Sequence, residues 1–145
     1  MRCVRVTSDA FDTATEIVRL EALGGGGVAS FTGIVRGDAG LLALTLDHYP
    51  AMTLSALEDL VAQAEQRWPL VGVTLIHRVG DMVPGDRIVF VGTASAHRAA
   101  ALEACAFLID CLKTQAPFWK KEQFADGTNA WVEPRDSDDA AAARW

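Results

Sequence analysis

The 145-residue chain is poor in lysine, in cysteine and in long apolar runs, and each shortage excludes a class of protein. Three lysines and a formal net charge of −6 argue against general nucleic-acid binding, unless a local basic patch overrides that charge. No apolar run approaches the roughly 20 residues that cross a bilayer, and the N-terminus lacks the apolar core of a signal peptide. These shortages predict a cytoplasmic protein that binds neither membrane nor nucleic acid.

Cysteine and histidine are sparse, and their spacing does not form a metal site. Cys3, Cys105 and Cys111 make an odd number without a CxxC pair. The two later cysteines are six residues apart on a predicted helix, so they lie on different faces and do not easily bridge each other. The three histidines include no pair at the four-residue spacing of a helical metal site. We therefore expect buried free cysteines and no protein-bound metal.

Short strand and helix patterns are present instead, in a mixed order. The expected strands are residues 2–7, 27–36, 41–49, 71–79, 87–94, 118–124 and 129–132. Three helices are expected. The first covers residues 12–23 and the third covers residues 96–115. The second begins at a cap formed by Thr53 or Ser55 and ends before Pro69. Strands and helices do not alternate strictly, and hairpin turns are frequent. We predict an α+β fold, a single domain in which helices pack on a largely antiparallel sheet.

Three local patterns set the turns and limits of this domain. The strands at 27–36 and 41–49 flank a Gly-Asp-Ala-Gly turn, which predicts an antiparallel hairpin. The glycine run at 24–27 lacks the Gly-Lys-Ser/Thr of a phosphate-binding loop, so we interpret it as a helix stop and flexible turn. The domain is expected to cover residues 1–136. Residues 137–145 then form a C-terminal tail that is either a frayed helix or disordered.

The few lysines are concentrated between positions 113 and 121 of an otherwise acidic chain. The charged residues of this candidate site are Arg36 at a strand end, His97 and Arg98 at a helix start, Lys113 at the end of that helix, and Lys120, Lys121 and Glu122 on the next strand. Clustered like charge costs stability, so the pattern predicts a bound anion. Arginine offers a planar fork to phosphate or carboxylate, lysine offers a point charge, and a helix N-terminus adds free N–H groups.

Each of these residues also has an ordinary structural explanation. His97 can cap its helix, and Lys113 is stabilised by the dipole at a helix C-terminus. Lys120 and Lys121 alternate across a strand, so at most one of them faces a given pocket. Glu122 can be a surface ion-pair partner of Lys120. The argument for a site is the concentration of these residues in one region.

Helix geometry separates the two halves of the candidate site. Arg98 and Lys113 are fifteen residues apart, so on one continuous helix their backbones are separated by roughly 22 Å. Either the chain has two anion sites, or a second copy supplies His97 and Arg98 to the lysine pocket of the first. We favour the two-fold dimer, because closed C2 assemblies are the commonest oligomers.

Several stretches of the sequence resemble the large, catalytic subunit of molybdopterin synthase. The matching stretches are residues 31–36 (FTGIVR), 44–50 (LTLDHYP), 76–80 (IHRVG), 84–86 (PGD), 95–98 (SAHR), 112–114 (LKT) and 116–122 (APFWKKE). The resemblance runs from about position 27 through residues 131–133 to the terminal Arg144 and Trp145. It implies the α/β hammerhead-type fold of that family.

The resemblance implies a sulfurtransferase that acts on cyclic pyranopterin monophosphate. A small ubiquitin-like carrier brings sulfur as a thiocarboxylate on its C-terminal Gly-Gly tail, and two transfers build the dithiolene of molybdopterin. It implies no permanently bound cofactor, because the pterin is the substrate. It also implies a heterotetramer, with a dimer of large subunits at the centre and a carrier at each end.

The resemblance also implies roles for individual residues. Lys113 and Lys120 correspond to the catalytic lysines. The implied substrate-binding residues are Ile34, Val35, Arg36, His97, Arg98, Lys113, Lys120, Lys121 and Glu122. Family members can carry lysine where this chain has Ile34, so only backbone or apolar contact is available there. The connection from Arg36 to Leu41 is shorter than is usual in the family, and Arg135 is a further candidate to reach across the dimer.

We expect Arg36, His97 and Arg98 to hold the pterin phosphate, while Lys113 and Lys120 orient the thiocarboxylate. Two alternatives stay open from the sequence. One is a phosphate-ester enzyme that uses the same basic pocket, which would ordinarily need a metal and a carboxylate cluster. The other is a non-catalytic module that binds the tail of an anionic partner.

Overall fold

The computed structural model describes residues 1–132 and 136–145, and its elements follow the sequence in this order. They are β1 (Arg2–Thr7), α1 (Thr13–Glu21), β2 (Gly27–Ile34), a 3₁₀ turn (Asp38–Gly40), β3 (Leu41–His48), α2 (Pro50–Arg67), β4 (Leu70–Arg78), β5 (Gly80–Met82), β6 (Arg87–Ser95), α3 (Arg98–Gln115), β7 (Phe118–Phe124), β8 (Asn129–Val132) and α4 (Asp136–Ala143). None of the helices within these ranges is long and apolar enough to cross a membrane.

The strands form two four-stranded sheets. The larger sheet has the order β1-β4-β6-β2, and the smaller has the order β5-β3-β7-β8. Strand β1 runs parallel to β4, and all other described pairs are antiparallel. The predicted α+β class with largely antiparallel pairing is therefore confirmed.

The predicted hairpin between residues 27–36 and 41–49 is wrong. Strand β2 pairs with β6, whereas β3 lies in the other sheet between β5 and β7. Just after β2, the Val35 N–H donates to the Asp86 carbonyl at 2.9 Å, and the Gly85 N–H donates to the Val35 carbonyl at 2.9 Å. The end of β2 is thus held by the turn before β6. The 3₁₀ turn then sends the chain into the second sheet instead of folding it back.

The core lies where α2 and α3 pack against the sheets and against each other. Strands β4 and β6 are buried along most of their length, as expected for central strands covered on both faces. The largest fully buried side chains include Phe90, Phe107, Leu57, Leu60 and Leu108. Full burial of one such side chain contributes about 1.5–3 kcal/mol, so this core fixes helix α3, which carries Arg98 and Lys113 of the candidate site.

Helix α2 begins earlier than the predicted cap at Thr53 or Ser55. Its first residue is Pro50, and Tyr49 precedes it in extended conformation without a side-chain cap. Proline is favoured at the first helical position, because its missing N–H would have no partner there. Thr53 is fully buried inside the first turns. Pro50, which follows directly after the predicted strand at 41–49, therefore starts the helix.

The end of the chain is a helix docked on the core. Trp145 packs edge-on against Phe107 and Trp68, at ring-centroid distances of 5.8 Å in both cases. The Trp145 indole N–H donates to an Asp110 carboxylate oxygen at 2.8 Å, and Arg144 donates to the same oxygen at 2.7 Å. Of our two alternatives for this segment, the structure has the helix, in α4. The domain boundary after residue 136 stays a prediction.

Candidate active site

A cavity of about 590 Å³ opens between the end of α3, the end of β2 and the inner face of β7. Its apolar wall includes Val89, Leu112 and Phe118. The charged residues that line it are Arg36, Asp38, Lys113, Lys120, Glu122 and Asp138. An apolar concave surface with a few converging polar groups is typical of small-molecule sites.

Two of the three lysines reach this cavity from different elements. Lys113 lies in the last turn of α3, directly after the buried Leu112. Strand β7 alternates its side chains, so Lys120 and Glu122 both line the cavity, and Lys121 does not. The alternation that we predicted for Lys120 and Lys121 is what the structure shows. The substrate-binding role implied for Lys121 stays a prediction.

The segment after β2 supplies the opposite rim. Ile34, Val35 and Arg36 all line the cavity, and Val35 is buried where its backbone bonds to the 84–86 turn. Arg36 Nε lies 3.5 Å from an Asp38 carboxylate oxygen, and these side chains are 66% and 73% exposed. An ion pair this exposed is weak, so Arg36 can exchange Asp38 for a bound anion at little cost.

His97 and Arg98 are absent from this cavity in the protomer. They stand at the start of the 18-residue helix whose far end carries Lys113. His97 is the residue before the helix and makes no capping hydrogen bond through its side chain. Both residues are exposed. The separation that we predicted is present. His97 occupies the N-cap position, as its structural explanation allowed, although its side chain does not bond to the helix.

The glycine run after α1 holds this corner in place. The Gly26 N–H donates to the Ser95 carbonyl at 2.9 Å. A β-carbon on Gly26 would lie 2.1 Å from the Ala96 carbonyl oxygen, and one on Gly25 would lie 2.8 Å from that of Ser95. Our interpretation of the run as a flexible turn is therefore wrong for these two positions. They are close backbone contacts against the segment that leads into His97.

A comparison with known protein families identifies the family of this chain. The model of a protein family described as MoaE protein matches residues 6–115 of the sequence. The chain belongs to the MoaE family. A relative from Yersinia pestis, named molybdopterin synthase catalytic subunit, is 51% identical over 146 residues, which cover 98% of this chain and 96% of that relative. The resemblance that we stated from the motifs is confirmed.

Solved structures of the MoaE family share the fold described above. The MoaE protein from Burkholderia ambifaria MC40-6 is 46% identical and matches with a TM-score of 0.86, covering 100% of this chain and 98% of that chain. A complex of subunits 1 and 2 of the molybdopterin-converting factor from Helicobacter pylori contains a chain that matches with a TM-score of 0.77 at 24% identity. The match covers 91% of each chain. At that identity the likeness shows the fold alone.

Among the described residues, the charges that line this MoaE-family cavity balance within one chain. Three cationic side chains face three carboxylates, those of Asp38, Glu122 and Asp138. A cavity that holds a phosphate and a thiocarboxylate needs an excess of positive charge. Adding His97 and Arg98 from a second protomer would supply that excess. Arg135, our other candidate to cross the dimer, lies outside the described residues.

Asp138 and His77 line the cavity, although sequence reasoning did not place them in the site. Asp138 comes from α4, in the segment that we left as a frayed or disordered tail. His77 comes from β4 and is only 7% exposed. Because both faces of β4 are buried, the strand has no polar and apolar alternation that could have marked His77 as facing a cavity.

Two of the three cysteines of this MoaE-family chain, Cys105 and Cys111, are poor nucleophiles. Burial raises the pKa of the Cys105 thiol to about 11, and burial also raises that of Cys111. Since the thiolate is the reactive form, these two thiols stay unreactive at neutral pH. Cys3 is half-buried and, like the other two, forms no disulfide. The described residues contain no group of three or more histidine, cysteine or acidic side chains placed to hold a metal.

Proposed function

We propose that this cavity performs the sulfur-transfer chemistry of molybdopterin synthase. The chain is an enzyme of molybdopterin synthesis by its family membership, and its substrate is a pterin. The observation that carries the assignment to this cavity is that Lys113, Lys120 and Arg36 reach it from three separate elements. The pterin that we propose is cyclic pyranopterin monophosphate, and no permanently bound cofactor takes part.

In the proposed reaction the pocket neutralises two anions before they react. Arg36, with His97 and Arg98 of a second protomer, holds the pterin phosphate through charge-assisted hydrogen bonds. Lys113 and Lys120 orient the thiocarboxylate and stabilise the negative charge that develops as sulfur attacks a carbon of the pterin. Each sulfur replaces one oxygen substituent of the pterin side chain. One of these oxygens stays on the phosphate as the cyclic ester opens, and the other leaves as water. Water then hydrolyses each acyl–sulfur bond, and the carrier leaves as a carboxylate. Two such transfers give the dithiolene.

The partner that we propose is a small ubiquitin-like carrier whose Gly-Gly tail enters the cavity. The Helicobacter pylori structure is a complex of two different subunits, which supports a partner of this kind for the fold. The proposed assembly is a heterotetramer with a dimer of this chain at its centre. Because the carrier brings the sulfur, no cysteine of this chain has to react. A cytoplasmic location stays a prediction.

The test is to mix the purified chain with thiocarboxylated carrier and cyclic pyranopterin monophosphate. We expect dithiolene product, with no loss of rate in the presence of a chelator. A folded chain that binds the carrier without forming product would overturn the proposal and favour the non-catalytic binding module. Turnover that stops with the chelator and releases phosphate alone would favour the phosphate-ester enzyme.

A further inference from the structure

His77 is the one histidine among the described residues that line the cavity. Its side chain sits deep in the wall, and the residue is 7% exposed. Lys113 and Lys120 line the same cavity. The reaction proposed above does not involve His77. A buried imidazole next to the reacting groups is unusual, and such residues are candidates for a functional role.

The orientation of the His77 ring is fixed from two sides. Nδ1 lies 2.9 Å from the backbone carbonyl oxygen of Arg78. A carbonyl oxygen only accepts, so Nδ1 carries the proton in this contact. Phe118 stacks on the ring with centroids 4.0 Å apart and planes inclined by 26°. In a neutral ring with its proton on Nδ1, the second nitrogen, Nε2, is an acceptor.

The ring stays neutral at physiological pH. Burial lowers the pKa of His77 to about 3, the contact with the Arg78 carbonyl opposes this shift, and the charges of Lys113, Lys120 and His48 add to it. A base this weak is a poor proton acceptor at neutral pH. The neutral ring can instead accept a hydrogen bond without adding charge to the cavity. The cationic side chains around the cavity have no acceptor, and the carboxylates accept only as charged groups.

We infer that His77 is a specificity-determining residue whose Nε2 accepts a hydrogen bond from an N–H or O–H group of the pterin. The inference rests on the proposed function, because it takes the pterin as the ligand of this cavity. The cations recognise phosphate and thiocarboxylate but cannot recognise a donor. Pterin rings carry amino and ring N–H donors, so an acceptor in the apolar wall distinguishes a pterin from other phosphate esters.

Two substitutions distinguish the role of Nδ1 from that of Nε2. His77→Asn keeps an N–H donor near the position of Nδ1 and removes the acceptor, whereas His77→Gln keeps a polar amide near the position of Nε2. We expect His77→Asn to raise the KM for cyclic pyranopterin monophosphate about tenfold to a hundredfold, the usual effect of leaving a buried donor unpaired. The carrier KM should stay unchanged, and His77→Gln should recover most of the loss.

A pterin KM within twofold of wild type in folded His77→Asn would overturn the inference. Equal losses in both variants would also overturn it, because they would indicate packing against Phe118 and no acceptor. Wild-type turnover in the same assay distinguishes failure of this inference from failure of the proposed function. An inactive wild type would count against the proposed function.

A measurement on the unmodified protein covers the case in which neither variant folds. With ¹⁵N-labelled histidine, only three imidazoles contribute signals. The unprotonated nitrogen of His77 should shift when cyclic pyranopterin monophosphate is added, and inorganic phosphate alone should leave it in place. An unchanged resonance at saturating pterin, or an equal shift with phosphate, would overturn the inference.

Discussion

At the scale of single residues, position relative to the cavity separates side chains that are chemically alike. Lys120 and Lys121 are neighbours in sequence, yet only Lys120 lines the cavity. His77 and His97 are both histidines, yet one is buried in the cavity wall and the other is exposed at a helix start. The functional importance of each residue follows from this placement and not from its type.

Replacing Lys113 or Lys120, the two lysines that we propose act in sulfur transfer, should remove most of the activity. We expect Lys113→Ala or Lys120→Ala to lower kcat by roughly a hundredfold to a thousandfold, the typical cost of losing one group that stabilises developing charge. Single-turnover assays with thiocarboxylated carrier would measure this. Arg2→Ala is the matched loss of one positive charge, because Arg2 pairs only with Glu65 among its described ion-pair partners. Near-normal turnover in either lysine variant would refute the role of that lysine.

Buried neutral His77 should make stability depend on pH in a defined window. Its folded pKa of about 3 lies below the unfolded value of 6.5, so below that value the unfolded state binds more protons. Neutral burial of His77 therefore leaves the free energy of unfolding unaffected above about pH 6.5. As the pH falls from there towards 3, the free energy of unfolding decreases, by at most about 1.4 kcal/mol per pH unit. Urea unfolding of wild type and His77→Asn would measure it. If the free energies of unfolding of wild type and His77→Asn differ by the same amount at every pH down to about 4, neutral burial of His77 is contradicted.

The cysteines should be dispensable for chemistry. A variant with alanine at Cys3, Cys105 and Cys111 should keep its sulfur-transfer rate, because the sulfur arrives on the carrier and the two buried thiols are not ionised. Stability should fall by about 1 kcal/mol for each buried thiol removed. Thermal unfolding would report that loss separately from turnover. A folded triple variant unable to transfer sulfur would show that a cysteine takes part.

At the scale of secondary structure, the sequence predicts elements better than it predicts their partners. Strands β1, β7 and β8 have the predicted bounds, because turn residues flank them clearly. Strand β5 was missed, since three residues are too short to show a period. The pairing of β2 was also predicted wrongly. Alternation of apolar and polar residues predicts that a segment is a strand. Its pairing partner, here β6, depends on burial against residues distant in sequence, which no local pattern predicts.

The glycine contact beside His97 gives a prediction at this scale. Gly26→Ala would place a methyl group against the Ala96 carbonyl, and we expect it to displace the His97–Arg98 corner and raise the KM for the pterin. Overpacking of this kind also costs roughly 1–3 kcal/mol of stability. Gly24→Ala is the control, because it strains a positive φ of 83° but meets nothing within 4 Å. An unchanged KM in folded Gly26→Ala would contradict a positioning role.

At the scale of the whole molecule, one protomer contains an incomplete anion site. Among the described residues that line its cavity, carboxylates and cations are equal in number, and His97 and Arg98 lie at the far end of α3. The sequence could predict this separation, because helix rise is fixed. It could not predict the contributions of Asp138 and His77, since these depend on how α4 and β4 pack in three dimensions. The shared, two-fold site that we propose would reconcile the motifs with the geometry.

Complementation between protomers tests the shared site most directly. Lys113→Ala and Arg98→Ala each remove one half of it, so each variant alone should be inactive. In a mixed dimer, one of the two pockets combines intact Lys113 from one protomer with intact Arg98 from the other. Random mixing should therefore restore about a quarter of wild-type activity. A mixture of folded, exchanging dimers that stays inactive would contradict the account.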